Sequence, residues 1–431
     1  MSELMINYRK LFEGIDNEIT LLDGRNVLPI NFDNGATTPS FKQVADCVFN
    51  SLQRYGSIGR GKGQNSEYCN RVYEEARQNI LNFFNLGNSQ EYTVIYVKNT
   101  TEGLNLLAET LVTGKYDKIL TTRMEHHAND LPWRKRGVVE YIEVDDLGKI
   151  NIDLIEEKLI KAKGSIKYIT ITGASNVTGY LNPINKIAMI AHKYGARIIV
   201  DAAQLVAHRK INMKGTGNND NIDFLVFSAH KMYAPFGSGA IVGLKSELEN
   251  KEPFLRGGGA VEVVLDNKIY WTDLPDKYEP GTPNFLGVVA MSSAFSELSE
   301  ITMEAVEVHE KILANYLLRE ITKINKIMMY GDINEINRLG VFPFNVEGIN
   351  HKDVADDLAL LRGISVRNGW FCAHPYVKRL LGVGDNELLK YIKEPDIKRM
   401  GMVRVSFGLY NQTNEIDDFL AALEYIISKR S

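Results

Sequence analysis

With 431 residues, 44% of them hydrophobic, the chain is long enough for one large core and a smaller companion. A formal charge of −4 gives no electrostatic footprint for DNA or RNA, and no run of ~18 apolar residues offers a membrane span. Three scattered cysteines, Cys47, Cys69 and Cys372, are too few for a disulfide framework or a cysteine-based zinc site. Met1–Glu13 has no apolar leader pattern, so the expected compartment is the cytosol.

In chain order, Lys42–Leu52 and Ser66–Phe84 read as helices, with Cys47 and Cys69 as packing residues inside them. From Tyr92 to Gly243, short apolar runs alternate with helical patterns. The runs are Tyr92–Val97, Lys118–Thr122, Val139–Glu143, Tyr168–Thr172, Arg197–Asp201, Phe224–Ser228 and Ala240–Leu244. Helical patterns at Thr101–Leu111, Ile152–Ala162 and Ile184–Tyr194 lie between them. Strands apolar on both faces and separated by helices predict a mostly parallel sheet sandwiched by helices, an α/β fold. A single long helix is predicted from Gly287 to Ile324. Beyond it, Val341–Val346, Asp353–Arg362, Ser365–Asn368 and Val403–Ser406 mix strands and helices, which predicts a smaller α+β unit.

Ligands of such sheets sit at the carboxyl ends of the strands, and those ends are polar here. Tyr92–Val97 leads to Thr100 and Thr101, Lys118–Thr122 to His126 and His127, and Tyr168–Thr172 to Ser175 and Asn176. Arg197–Val200 ends in Asp201 with Gln204 beyond, and Phe224–Phe227 in Ser228, His230 and Lys231. Each has an ordinary alternative as a helix cap, a solvated turn or a surface lysine. Five polar clusters at one topological position are not what those alternatives predict.

The set matches the needs of pyridoxal 5'-phosphate: an amine for a Schiff base, a carboxylate at the ring nitrogen and a phosphate cradle. Lys231 supplies the amine and Asp201 the carboxylate. Helix-start amides at Thr100 and Thr101, with Ser228 and His230, suit the phosphate dianion. His126 is placed to stack on the ring.

The strings "LPINFDNGATTPS", "MEHHANDLPWR", "ASNVTGYLNP", "VDAAQ", "SAHKMYAPFGSG", "YEPGTPNF", "VRNGWFCAHP" and "VRVSFGLYN" run from 28 to 411. In order and spacing they resemble the class V aminotransferase superfamily of fold-type I enzymes, and within it the SUF-type cysteine desulfurases. The resemblance implies a large cofactor-binding domain at 31–290 and a small α+β domain at 291–431 carrying Cys372 and Arg404. An N-terminal segment, 1–30, would pack with the small domain.

It assigns Lys231 as the Schiff-base lysine, Asp201 as the ring-nitrogen partner and Gln204 as a contact to the cofactor's 3-oxygen. His126 stacks on the ring, and Thr100, Thr101, Ser228 and His230 bind phosphate. Thr282 reaches the phosphate of a neighbouring subunit, which implies a homodimer with shared active sites. Asn176, near cofactor and substrate alike, and Arg404 fix the amino-acid end of the substrate, where a guanidinium suits an α-carboxylate. Cys372 becomes a persulfide, with Arg367 or His374 favouring its thiolate. The implied reaction converts L-cysteine to L-alanine, with the sulfur passing to an acceptor protein and on to iron–sulfur cluster biogenesis.

One stretch departs from the pattern. In "YGSIGRGKGQNSEY" (55–68), Gly59 and Gly63 stand where SUF-type histidines are expected, although Arg60 is retained. A selenocysteine lyase, a cysteine or cystine C–S lyase, or an aminotransferase would share Lys231 and Asp201 without needing Cys372. A non-catalytic paralogue would need neither. A dinucleotide site is disfavoured, because "GRGKGQ" follows no strand and lacks the G-x-G-x-x-G spacing.

Overall fold

Seven strands build the main sheet: β1 (Tyr92–Val97), β2 (Lys118–Thr122), β3 (Val138–Ile142), β4 (Ile166–Thr172), β5 (Arg197–Asp201), β6 (Phe224–Ser228) and β7 (Gly239–Leu244). They come from a computed structural model that describes residues 6–59, 61–394 and 397–430. The spatial order is β1-β7-β6-β5-β4-β2-β3. Pairings from β6 through β3 are parallel, while β7 runs antiparallel to both β6 and β1. Successive side chains of β6 enter different cores. Leu225 and Phe227 join one apolar cluster and Phe224 and Val226 another, all fully buried. A sheet covered on both faces is what the uninterrupted apolar runs encode.

Helix α1 (Thr100–Leu111) follows β1 and is capped by Asn99, whose side chain accepts from Glu102 N at 3.0 Å. Gly103 lets α1 lie close on the sheet: a Cβ there would stand 2.5 Å from Val226 Cγ1. That approach brings the first turn of α1 beside the carboxyl end of β6.

The single helix expected over Gly287–Ile324 is two helices, α2 (Phe285–Ile301) and α3 (Met303–Ile321). Thr302 separates them with φ +73°, and its Oγ1 accepts from Ala305 N at 3.2 Å. The chain is broken and recapped at one residue, and the apolar period continues across the break.

A second sheet is antiparallel: β10 (Ile327–Met329), β11 (Val341–Val346), β12 (Arg367–Gly369) and β13 (Met402–Ser406), in the order β10-β11-β13-β12. A separate exposed hairpin, β8 (Val261–Leu265) with β9 (Lys268–Trp271), precedes it in the chain. The run expected at Ser365–Asn368 divides into Ile364–Ser365, which pairs in parallel with Ile30–Asn31, and β12. The second sheet shares an apolar core with α3, α4 (His351–Arg362) and α5 (Thr413–Arg430), through Leu317, Phe342, Phe344, Leu358, Val405 and Phe419. The N-terminal stretch lies against this part of the chain at Arg9, whose Nη1 is 2.7 Å from Glu415 Oε1, and at Tyr8, whose ring packs edge-on to His309. Among the described residues no helix is long and apolar enough to cross a membrane.

Candidate active site

The carboxyl ends of β1, β2, β4, β5 and β6 converge on one cavity of about 340 Å³, in the range of small-molecule sites. Its walls include Thr100, Thr101, His126, Asn176, Asp201, Gln204, Ser228, His230 and Lys231 from the main sheet. Arg367, Cys372 and Arg404 enter from the second sheet. Of the residues singled out in the sequence, Thr282 does not line this chain's cavity. It lies in the Glu279–Asn284 stretch, whose Glu279, Pro280, Pro283 and Asn284 border a different hollow. His127 and Ser175 serve loops. His127 N donates to Cys372 O at 2.7 Å, and Ser175 Oγ accepts from Val177 N at 3.1 Å. In the early loop, Gly59 and Gly63 both take positive φ, and Gly59 N donates to Asn70 Oδ1 at 2.7 Å. Arg60 lies outside the described residues.

Lys231 ends the single 3₁₀ turn Ala229–Lys231 after β6. Burial drives its pKa down to about 8, while the Asp201 carboxylate opposes that shift. Asp201 is buried, and burial holds its own pKa above the ordinary carboxylate value. It accepts from Ala203 N at 2.9 Å. His126 is neutral, its pKa pushed to about 3 by burial and then by Lys231. Its Nδ1 accepts from Ala128 N at 3.0 Å, so the ring proton sits on Nε2. His230 is also neutral, at about 4, for the same two reasons. Thr100 N and Thr100 Oγ1 both lie 2.7 Å from Ser228 Oγ, which gathers hydroxyl and amide donors at the start of α1. Gln204 Nε2 donates to Gly35 O at 2.6 Å.

The second sheet delivers two cations and a thiol. Arg367 and Arg404 are direct cross-strand partners. Arg404 is almost wholly buried and donates through Nη1 to Asn176 O at 2.9 Å, but its Nε has no partner. Cys372 is exposed, whereas Cys69 is buried and Cys47 half-buried. The sulfur sits on a loop where Phe371 and Cys372 take φ of +50° and +52°. Asn176 Nδ2 pins that loop by donating to Phe371 O at 2.8 Å.

Sequence reasoning missed Asp33, which bridges both arginines: Oδ1 lies 3.1 Å from Arg404 Nη2, and Oδ2 lies 2.8 Å from Arg367 Nη2. In "NFDNGA" it reads as an ordinary turn aspartate, and no local signal marks it. Gly35 was missed too. A Cβ there would stand 3.1 Å from Arg404 Nη2, so the glycine leaves the guanidinium its space.

Residues 30–419 match the family model described as Aminotransferase class-V. A probable cysteine desulfurase of Halalkalibacterium halodurans is 33% identical over 426 residues, covering 96% of this chain and 96% of the relative. A cysteine desulfurase of Haloferax volcanii is 32% identical, covering 92% and 88%. The apo structure of a cysteine desulfurase from Thermococcus onnurineus NA1 superposes with a TM-score of 0.82 at 30% identity, covering 93% and 95%. An S-sulfonic acid form of an Escherichia coli cysteine desulfurase gives 0.81 at 25%, covering 98% of each. The chain belongs to the class-V aminotransferase family, where the relatives it matches over nearly its whole length are cysteine desulfurases.

Proposed function

We propose that the protein is a pyridoxal-phosphate-dependent cysteine desulfurase, working in the cytosol as a homodimer, that turns L-cysteine into L-alanine and passes the sulfur to an acceptor protein. The observation that carries this reading is that a buried amine, a buried carboxylate and an exposed thiol line one cavity. Residues 31–290 would form the cofactor-binding unit and 291–431 the smaller unit bearing Cys372 and Arg404, with 1–30 packed along it. The second sheet's own apolar core supports a smaller unit, while Met291, Phe295 and Leu298 of α2, with Tyr8 and Phe12, pack in the core of the main sheet.

The donor set suits the cofactor. Lys231 Nζ would bind its aldehyde carbon, and Asp201 would hold the proton on its ring nitrogen. Gln204 would meet its 3-oxygen, and the neutral ring of His126 would stack on its face beside Asn176. Thr100, Thr101, Ser228 and His230 would bind its phosphate, completed by Thr282 of a second copy. When bound, pyridoxal phosphate supplies an electron sink for the bond broken at the substrate's Cα.

Around that chemistry the chain's own groups bind and move protons. Arg404, with an unpartnered buried Nε, would take the substrate carboxylate, with Asn176 and Arg367 beside it. Lys231, whose amine is neutral in useful fraction near pH 8, would accept the Cα proton through Nζ. The Cys372 thiolate would attack the substrate's sulfur. A sulfur–sulfur bond forms as the carbon–sulfur bond breaks. The electron pair stays with the carbon skeleton, which is protonated and leaves as alanine.

The test is Cys372→Ser with L-cysteine. It should retain amino-acid binding, seen in the cofactor's absorption, and lose alanine formation. Undiminished alanine would overturn the persulfide step, and pyruvate with ammonia in place of alanine would identify a C–S lyase.

A further inference from the structure

His127 grips the loop of the thiol on both sides of Cys372. Its N–H donates to Cys372 O at 2.7 Å, and its ring accepts from His374 N at 3.1 Å through Nε2. A peptide N–H can only donate, so Nε2 carries the lone pair and the ring proton sits on Nδ1. Burial, then the neighbouring His374, hold the pKa of His127 below its ordinary value against the pull of Asp130, which favours the neutral ring. The His374 ring packs edge-on to it at 4.7 Å.

The grip is itself rooted in the main sheet. His127 opens the 3₁₀ turn His127–Asn129, directly after His126, which lines the cavity. Beneath the turn the buried Glu125 carboxyl accepts from Thr122 Oγ1 and from Asn129 Nδ2, both at 2.6 Å. Asn129 Oδ1 in turn accepts from Trp133 Nε1 at 3.2 Å. Consecutive residues 125, 126 and 127 thus reach the core, the cavity wall and the thiol loop.

The loop needs such a hold, because Phe371 and Cys372 both take positive φ, which persists only where the surroundings impose it. Asn176 Nδ2 holds Phe371 O, the His127 N–H holds Cys372 O, and His127 Nε2 holds His374 N. Asn176 is shared with the amino-acid site, since its carbonyl accepts from Arg404, and the His127 N–H is main chain. The imidazole is the side chain that serves the thiol loop alone.

Resting on the reading of Cys372 as the thiol that takes the substrate's sulfur, we infer that His127 is a positioning residue for that transfer. By accepting from His374 N it fixes the loop in which Cys372 meets the substrate's sulfur, and it takes no part in holding the amino-acid end.

The cofactor-loaded protein tests this with His127→Phe, which keeps a ring without an acceptor, and His127→Gln, whose Oε1 can replace Nε2. His127→Phe should slow single-turnover formation of alanine from saturating L-cysteine by about three- to tenfold, the size of one hydrogen bond, and speed amide hydrogen exchange at His374 by about the same factor. The half-saturation for L-alanine, followed by the cofactor's absorption, should be unchanged in both variants. His127→Gln should recover both the rate and the protection. An unchanged rate or exchange in His127→Phe, a loss that His127→Gln fails to recover, or a weakening of L-alanine in step with the rate overturns the inference. No alanine from L-cysteine in the unmodified protein would instead sink the desulfurase reading. If His127→Phe shows no cooperative melt, His127→Asn decides. Its Oδ1 stands in for Nδ1 and stops short of His374 N, so it should reproduce the loss, and an unchanged rate would refute the role of the imidazole.

Discussion

The amine of Lys231 should titrate far below an ordinary lysine in the cofactor-free protein. Burial lowers it to about 8 from 10.5, and Arg404 pushes the same way while Asp201 resists. At pH 7 an amine of pKa about 8 is roughly 9% neutral, against roughly 0.03% at 10.5, which is about 300-fold more nucleophile. Reductive methylation across a pH series, read residue by residue by peptide mass mapping, measures this directly. The rate at Lys231 should rise with pH and level off above about 8. The same peptide in unfolded protein should keep rising toward ~10.4. Asp201→Asn removes the carboxylate that favours the ammonium, so the bend should move to lower pH. Arg404→Met removes a repelling cation, so it should move up. A Lys231 rate that climbs through pH 10 without levelling would refute the claim that burial has primed this amine.

Two further outcomes follow from groups away from the cavity. His192 Nε2 lies 2.7 Å from Asp223 Oδ2, and that hydrogen bond raises the histidine's pKa against the opposing effect of burial. The contribution is complete below the unfolded value near ~6.5 and is lost as pH rises through the higher folded value. His192→Gln should therefore cost more melting temperature at pH 5.5 than at pH 8.5, and equal losses would count against the pair. Arg77 lies over the rings of both Tyr73 and Tyr96, at 5.0 and 4.4 Å, and its Nη2 lies 2.8 Å from the buried Glu279 Oε2. Glu279→Ala removes its buried partner and leaves Arg77 only the exposed Glu74 as counter-charge, so it should cost up to roughly 3 kcal/mol in urea unfolding at fixed protein and cofactor concentration, with Glu279→Gln losing less.

How far the sequence can be read differs from residue to residue. The five strand ends are legible because a strand buried on both faces must stay apolar until it emerges, so Asp201 and Ser228 stand out where the apolar run stops. The direction of β7 is not legible, because Ala240–Leu244 is equally apolar whichever way it pairs. The break at Thr302 is hidden for a related reason: the helical period survives it, and threonine is neither glycine nor proline. Asp33 is illegible in a deeper sense. Its meaning lies in contacts with residues 334 and 371 positions away, and nothing in its neighbours announces a bridge between two arginines.

The geometry of the thiol shows how the two sheets make one site. Phe371 and Cys372 are consecutive non-glycine residues at positive φ, a backbone that costs roughly 1–3 kcal/mol per residue and persists only where its surroundings impose it. The surroundings that impose it come from elsewhere in the chain. Asn176, in the loop after β4, donates to Phe371 O, and His127, after β2, donates through its N–H to Cys372 O. His374 N then donates to His127 Nε2 at 3.1 Å, closing the loop back onto the same histidine. An apolar pad including Met124, Val177, Phe371, Tyr376 and Met402 lies underneath. The strand ends that wall the cavity are thus continuous with the loops that hold the sulfur in its strained position. Docking of the second sheet against the first places Cys372 in the same cavity as the Lys231 amine and the two arginines.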